Sequence, residues 1–112
     1  MASVPPPKEK HRGQDLALHH AARNDQASKI EQLVEAGMDI DEQDGNGVTP
    51  LIFASSLGNL AAVKVLARLG AAKTLKDGLG YTAFQAAMFH GDFRGVTVAP
   101  FDEIMALTKP ES

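Results

Sequence analysis

One unit of sequence is written twice in this chain and half-written a third time. Gly47-Val48-Thr49-Pro50-Leu51, followed by Ile52-Phe53-Ala54-Ser55, returns one period later as Gly80-Tyr81-Thr82-Ala83-Phe84 with Ala87. One period before it, Leu18-His19-His20-Ala21-Ala22 stands where Leu51–Ser55 would fall. A fixed period of this size, the step from Gly47 to Gly80, means stacked supersecondary units. None of them buries its apolar face alone, and the period restricts the fold more than any local signal. The composition agrees. Five Phe, one Tyr and no Trp among 112 residues would be a thin supply for one compact core. An Ala-rich chain suits short helices packed closely together.

Within the period the elements follow in a constant order. Asp15 can cap a first helix over Leu16–Asn24, and Asn24-Asp25 breaks it. A second helix, about Ala27–Ala36, places Ala27, Ile30, Leu33 and Val34 on one stripe and Lys29, Glu31, Gln32 and Glu35 toward water. Gly37 supplies the left-handed residue that ends it. Met38–Gly47 is too polar for a helix, and Asp44-Gly45-Asn46-Gly47 marks a tight turn, so the stretch reads as an extended, hairpin-like finger. Thr49-Pro50 opens the next helix, with Thr as cap and Pro where a missing N–H costs nothing. That helix reaches about Leu57 and stops at Gly58-Asn59. Leu60–Leu69 is helical and closed by Gly70, Ala71–Gly80 is a second finger, and Thr82 caps a helix to about His90.

Finger, inner helix, tight turn, outer helix and Gly, in that recurring order, resemble the ankyrin-repeat family. The middle unit carries the likeness in Gly47, Thr49-Pro50-Leu51, Ala54, Gly58, Leu60, Val63, Leu66, Gly70 and Ala71. The first carries it in Leu18-His19, Ala21-Ala22, Ile30, Leu33, Glu35-Ala36-Gly37, Asp39, Ile40 and Asp44. The third carries it in Asp77, Gly80, Thr82, Ala83, Ala87 and Gly91. The resemblance implies an all-α repeat fold, an ankyrin-repeat solenoid of about three helix-turn-helix units with hairpin-like fingers. The expected organisation is a Pro-rich disordered tail over 1–13 and a repeat domain over 14–109, with repeats near 14–44, 45–77 and 78–109.

Two departures matter. The His that follows the Leu in the family is present only as His19, with Ile52 and Gln85 in its place one and two repeats on. In the third repeat Gly95 and Pro100 fall where the outer helix should run, and Pro in a helix interior costs about 3 kcal/mol. Moving the frame by eight restores the pattern, because Phe101, Ile104 and Leu107 then match Leu60, Val63 and Leu66. We therefore expect an insertion near Asp92–Ala99, with Val96-Thr97-Val98 extended, and a closing helix over Pro100–Thr108.

The chain is expected to be no enzyme. It has no Cys, which removes thiolate catalysis and Cys-ligated zinc. Ser55-Ser56 has no base placed by any motif, and no cofactor is expected. Adjacent His19 and His20 point about 100° apart on a helix and cannot easily share an ion, so no metal is expected. Gly45-Asn46-Gly47 and Gly78-Leu79-Gly80 sit one repeat apart at finger tips, as turn residues and not as phosphate loops. A formal charge of −3 gives no general attraction to nucleic acid or an anionic membrane. The first finger is acidic through Asp39, Asp41, Glu42 and Asp44. No apolar run approaches the roughly 18–20 residues that span a bilayer. Without a secretory signal, the expected setting is intracellular, cytoplasm or nucleus, with the unbound chain a monomer.

The resemblance also implies where a partner binds. The family's variable positions lie on finger tips and the exposed ends of inner helices, lining a concave face. Here they are Arg23 and Asn24 in the first repeat. In the second they are Gln43, Asn46, Val48, Ser56 and Leu57, and in the third Lys76, Leu79, Tyr81, Phe89 and His90. Val48, Leu57, Leu79, Tyr81 and Phe89 are apolar where a solvated surface would be polar, which marks a candidate hot-spot cluster. The expected function is non-catalytic recognition of a protein partner, as an adaptor or an occluding inhibitor. The alternative is a structural subunit or assembly chaperone that uses the 92–99 insertion and the C-terminal helix.

Overall fold

The computed structural model describes residues 16–93, 96–97 and 99–110. The tail over 1–13, the Asp15 cap and the extended Val98 expected from the sequence lie outside these residues. Among the described residues six helices follow in order: α1 Ala17–Arg23, α2 Ala27–Glu35, α3 Pro50–Leu57, α4 Leu60–Arg68, α5 Ala83–Gly91 and α6 Phe101–Thr108. Each is only two to three turns long, too short to hold alone in water, so each depends on its neighbours. The inner helices α1, α3 and α5 pack in one row, and the outer helices α2, α4 and α6 in a second.

The core lies between the rows and repeats with the sequence. Leu18 and Leu51 occupy one column, each 1% exposed. Ile30, Val63 and Ile104 occupy another, each fully buried. The second column includes α6 only because that helix starts at Phe101, past Phe93, where strict register with Leu60 would put it. The inserted segment forms a small antiparallel hairpin, β1 Asp92–Phe93 against β2 Val96–Thr97, with Asp92 opposite Thr97. Pro100 stands at the N-cap of α6, outside the helix interior. Phe101 then lies over two glycines: a Cβ on Gly91 would sit 2.3 Å from the Phe101 Cβ, and one on Gly58 3.0 Å from its ring.

Local chemistry closes the helices as their residues suggest. Thr49 Oγ1 accepts the Ile52 N–H at 3.1 Å, with Pro50 in the first turn. In the third repeat Gln85 takes up a task unlike that of the His it replaces. Thr82 Oγ1 accepts the Gln85 N–H while Gln85 Oε1 accepts the Thr82 N–H, a reciprocal capping box. Gly58 ends α3 in the left-handed region at φ 76°, and Asp25, one repeat earlier, adopts φ 57° at the same place.

Asp25 does more than turn the chain. Its Oδ1 accepts the Ala62 N–H at 2.9 Å, capping α4 from the preceding repeat. Asn59, at the N-cap of α4, makes no cap of its own and reaches the other way. Its Nδ2 donates to the Ala22 and Arg23 carbonyls, both at 2.8 Å, at the C-terminal end of α1. The two side chains exchange caps between neighbouring repeats, satisfying orphan groups at two helix ends. Exposed ion pairs, Arg68 with Glu31 and Lys64 with Glu103 at 3.4 Å, cross between outer helices, each worth less than about 1 kcal/mol.

Both fingers close as tight turns without forming a ladder. In the first, Asp44 N donates to Val48 O and Gly47 N to Asp44 O, while Asp44 Oδ1 accepts the Asn46 and Val48 N–H groups. Asp77, Leu79, Gly80 and Tyr81 repeat the same bonds in the next finger. The acidity of the first finger is therefore largely structural, since Asp41 Oδ1 also accepts the Ala72 N–H at 2.8 Å.

Candidate functional site

The row of inner helices and the bases of the two fingers enclose an open groove of about 290 Å³ between α3 and α5. Val48, Ile52, Phe53 and Ser56 form the wall on the second repeat. Asp77, Leu79, Tyr81, Phe89 and His90 form the other, with Ala86 between them. Tyr81 and Phe89 stack with ring centroids 5.8 Å apart and 19° between planes. His90 meets Phe89 edge-on at 5.9 Å. Phe89 is 68% exposed and Leu79 82%, so the wall offers aromatic and aliphatic surface to solvent. That combination suits anchoring an apolar side chain of a partner.

Six of the twelve expected contact residues meet at this groove: Val48, Ser56, Leu79, Tyr81, Phe89 and His90. Val48 is less free than its variable position suggests. Its side chain is half-buried against the core, and its carbonyl accepts a 2.7 Å hydrogen bond from His19 Nε2. A carbonyl only accepts, so His19 carries its proton on Nε2. This buried ring is a structural tie from α1 to the first finger, and its Nδ1 has no partner among the described residues. Gln43 is likewise a tie, its Nε2 donating to Gly47 O at 2.9 Å and Lys76 O at 3.0 Å. Asn46 and Lys76 are exposed in the fingers, Arg23 and Asn24 at the end of α1, and Leu57 at the end of α3 outside the groove lining.

Ile52, Phe53, Asp77 and Ala86 line the groove and are not among the expected contacts. The register contains a signal for two of them. Phe53 has Ala86 one repeat on, and a large residue followed by a small one in the same column opens a depression. Ile52 sits inside the motif that reads as scaffold, and Asp77 reads as turn chemistry.

The two glycine-rich tips face each other across a wider cleft lined by Gly45, Asn46, Gly47, Val48, Asp77, Gly78 and Leu79. Their N–H groups are largely committed: Gly47 N to Asp44 O, Gly78 N to Asn46 O at 2.8 Å and Gly80 N to Asp77 O. A phosphate cradle needs such donors unoccupied. Among the described residues no three His, Asp or Glu side chains come together as metal ligands, and no helix is long and apolar enough to cross a membrane.

A two-row helical stack with fingers over an open apolar groove defines a repeat scaffold of the kind that presents a binding surface. The family model for ankyrin repeats in three copies matches residues 8–98, and the chain belongs to the ankyrin-repeat family. It is similar to the ADP-ribosylation factor GTPase-activating protein AGD2 of Arabidopsis thaliana, 38% identical over 74 residues, which are 66% of this chain and 10% of the relative. The E3 ubiquitin-protein ligase KEG of the same plant is 35% identical over 78 residues, 67% of this chain and 5% of that protein. NF-kappa-B inhibitor alpha of Gallus gallus is 47% identical over 49 residues, 44% of this chain and 15% of its own length. The chain thus spans about a tenth of the length of these relatives, and the likeness to the two enzymes lies in their ankyrin repeats. Ankyrin repeats in general mediate protein–protein interaction and are typically non-catalytic.

Proposed function

We propose that this chain is a non-catalytic recognition module that binds a protein partner through its finger tips and inner helices, as an adaptor or an occluding inhibitor. The observation that carries the reading is the stacked Tyr81–Phe89 pair, exposed at the rim of an apolar groove. Aromatic side chains cost little rotamer entropy to immobilise, and exposed apolar surface gains most when a partner covers it. That one relative is an inhibitor by name supports the occluding mode. In this reading the unbound module is a monomer with repeats at about 14–44, 45–77 and 78–109, and it works in the cytoplasm or nucleus.

The test compares affinity capture from cell extract by the unaltered chain, Tyr81→Ala, Leu79→Asp and Leu57→Ala, each first checked for an unchanged melt. The two groove variants lose a protein that Leu57→Ala still retrieves. Equal retrieval by all four would sink the groove as the binding face.

A further inference from the structure

One carboxylate stands where the two depressions of the binding face join. The groove between α3 and α5 and the cleft between the finger tips share Val48, Asp77 and Leu79, so they meet as one furrow. It runs from Gly45 at a finger tip to His90 at the end of α5, which suits a segment of chain laid along it. Asp77 is at its waist. Among the described residues no Lys, Arg or second carboxylate lines either part. The half-buried Asp77 carboxyl is itself only half used. Its Oδ1 accepts the Leu79 N–H at 2.9 Å and the Tyr81 N–H at 3.0 Å, which folds the tip of the second finger. Its Oδ2 has no partner among the described residues, and no ammonium or guanidinium of theirs pairs with it.

Any segment laid in the furrow takes that oxygen out of water. An ionised carboxylate covered without a counter-charge costs much of what the surrounding apolar contact returns. A neutral donor would leave the charge uncompensated, so the occupant has to bring a cation to Asp77. The walls narrow its kind. The exposed Tyr81–Phe89 ring pair lies on the same wall as Asp77, and Phe53 on the facing one. A guanidinium donates to a carboxylate while stacking flat on an aromatic ring, and it sheds water more easily than an ammonium. Beside it, the step from Phe53 to Ala86 leaves room for a bulky apolar side chain.

We infer that Asp77 makes the groove selective for a partner segment in which an arginine adjoins a bulky apolar residue. The guanidinium donates to Asp77 Oδ2 against the Tyr81–Phe89 rings, and the apolar side chain fills the depression over Ala86. This selectivity presupposes that the groove is the binding face, as proposed above, and adds the chemistry of the partner to it. An acidic residue in the arginine place would meet a like charge, and a leucine would strand the carboxylate. Asp77 therefore also rejects partners that are only apolar. Asp44 supplies a contrast within the same chain. One repeat earlier it makes the same turn bonds, its Oδ1 accepting from Asn46 and Val48, yet it lines neither depression. A turn role alone predicts equal effects at Asp44 and Asp77, whereas partner selection predicts an effect at Asp77 only.

The test selects random dodecapeptides displayed on phage against the full chain, against Asp77→Asn and against Tyr81→Ala. Asn keeps an acceptor at Oδ1, so the turn and the melt are unchanged. The unaltered chain enriches peptides with arginine beside a bulky apolar residue, and Asp77→Asn keeps the apolar preference but loses the one for arginine. The strongest peptide is then synthesised with arginine, with lysine and with the neutral isostere citrulline, and titrated by fluorescence polarisation. Citrulline weakens binding by about tenfold or more on the unaltered chain and on Asp44→Asn, but by less than about threefold on Asp77→Asn. Where Tyr81→Ala abolishes binding, the groove reading stands. The inference is then overturned by enrichment without a cation, by equal citrulline losses with and without Asp77→Asn, by a citrulline loss removed equally by Asp44→Asn, or by lysine binding as tightly as arginine. Peptides that Tyr81→Ala still binds, or no enrichment at all, sink the groove reading and the inference together.

Discussion

The cap exchange between the first two repeats makes a quantitative prediction at Asp25. Replacing it with Ala removes two things: the acceptor for the Ala62 N–H, and a residue type that tolerates φ 57°. Loss of an N-terminal cap costs about 1 kcal/mol, within about 0.5–2 kcal/mol. Holding Ala in the left-handed region adds about 1–2 kcal/mol. Asp25→Ala should therefore destabilise the chain by about 2–3 kcal/mol. For a domain of this size, about 1 kcal/mol moves the melting temperature by about 4–8 °C, so the drop should exceed about 8 °C. Asp25→Gly loses the same cap but relieves the backbone, and the two roughly cancel, leaving a change within about 1 kcal/mol. Asp25→Asn keeps an acceptor and tolerates the conformation, and should also stay within about 1 kcal/mol. Urea titrations followed by helical circular dichroism, at constant slope, measure all three. Equal losses for Ala and Gly would show that the backbone conformation contributes nothing. A loss for Ala below about 0.5 kcal/mol, the lower bound for a working cap, would remove the cap as well, and the reasoning would fail.

Three further outcomes follow from the geometry. Gly91→Ala would gain helix propensity of at most about 1 kcal/mol, but it would place a Cβ 2.3 Å from that of Phe101. Overpacking of this kind costs about 1–3 kcal/mol, so a lower melting temperature is expected and an unchanged one would discount the contact. Gln85→Ala breaks the capping box and should cost about 1 kcal/mol, whereas Gln85→Glu should hold it; equal urea midpoints for the two would refute the box. Deleting Pro100–Ser112 removes Ile104 from the core and uncovers α4 and α5, so much of the helical signal should be lost at room temperature.

Much of the fold is legible in the chain because its information is local and repeated. Thr49-Pro50, Gly58 and Gly70 act within one turn of the chain, and the fixed period supplies an independent second reading of the same unit. The displaced closing helix is legible for a related reason. Pro100 forbids one register, and the apolar spacing of Phe101, Ile104 and Leu107 admits another. Several helix ends shift by a residue from where the spacing puts them, and α1 and α4 each take a side-chain cap from the neighbouring repeat. Neither Asp25 nor Asn59 caps the helix that its sequence position suggests.

The candidate site is half-legible. Tyr81, Phe89 and Leu79 stand out as apolar residues at positions that the family leaves variable. Gln43 stands out equally and proves to be a tie between fingers, since nothing in the spacing says that its amide reaches Gly47 O and Lys76 O. Phe53 draws no notice in the sequence although Ala86 lies in its column, because a depression exists only when two helices are set side by side.

Backbone preference and hydrophobic spacing act over a few residues, and they are enough to set the repeat, its period, the turn and cap residues and the shift of eight before α6. Stacking the units is what settles which side chains cross between repeats, which glycines meet a neighbour and which apolar residues are left uncovered. Gly47 and Gly80 occupy the same place in the repeat. A Cβ on the first would meet Gly78 and one on the second would meet no described residue, because close approach depends on what the stack places beside each position.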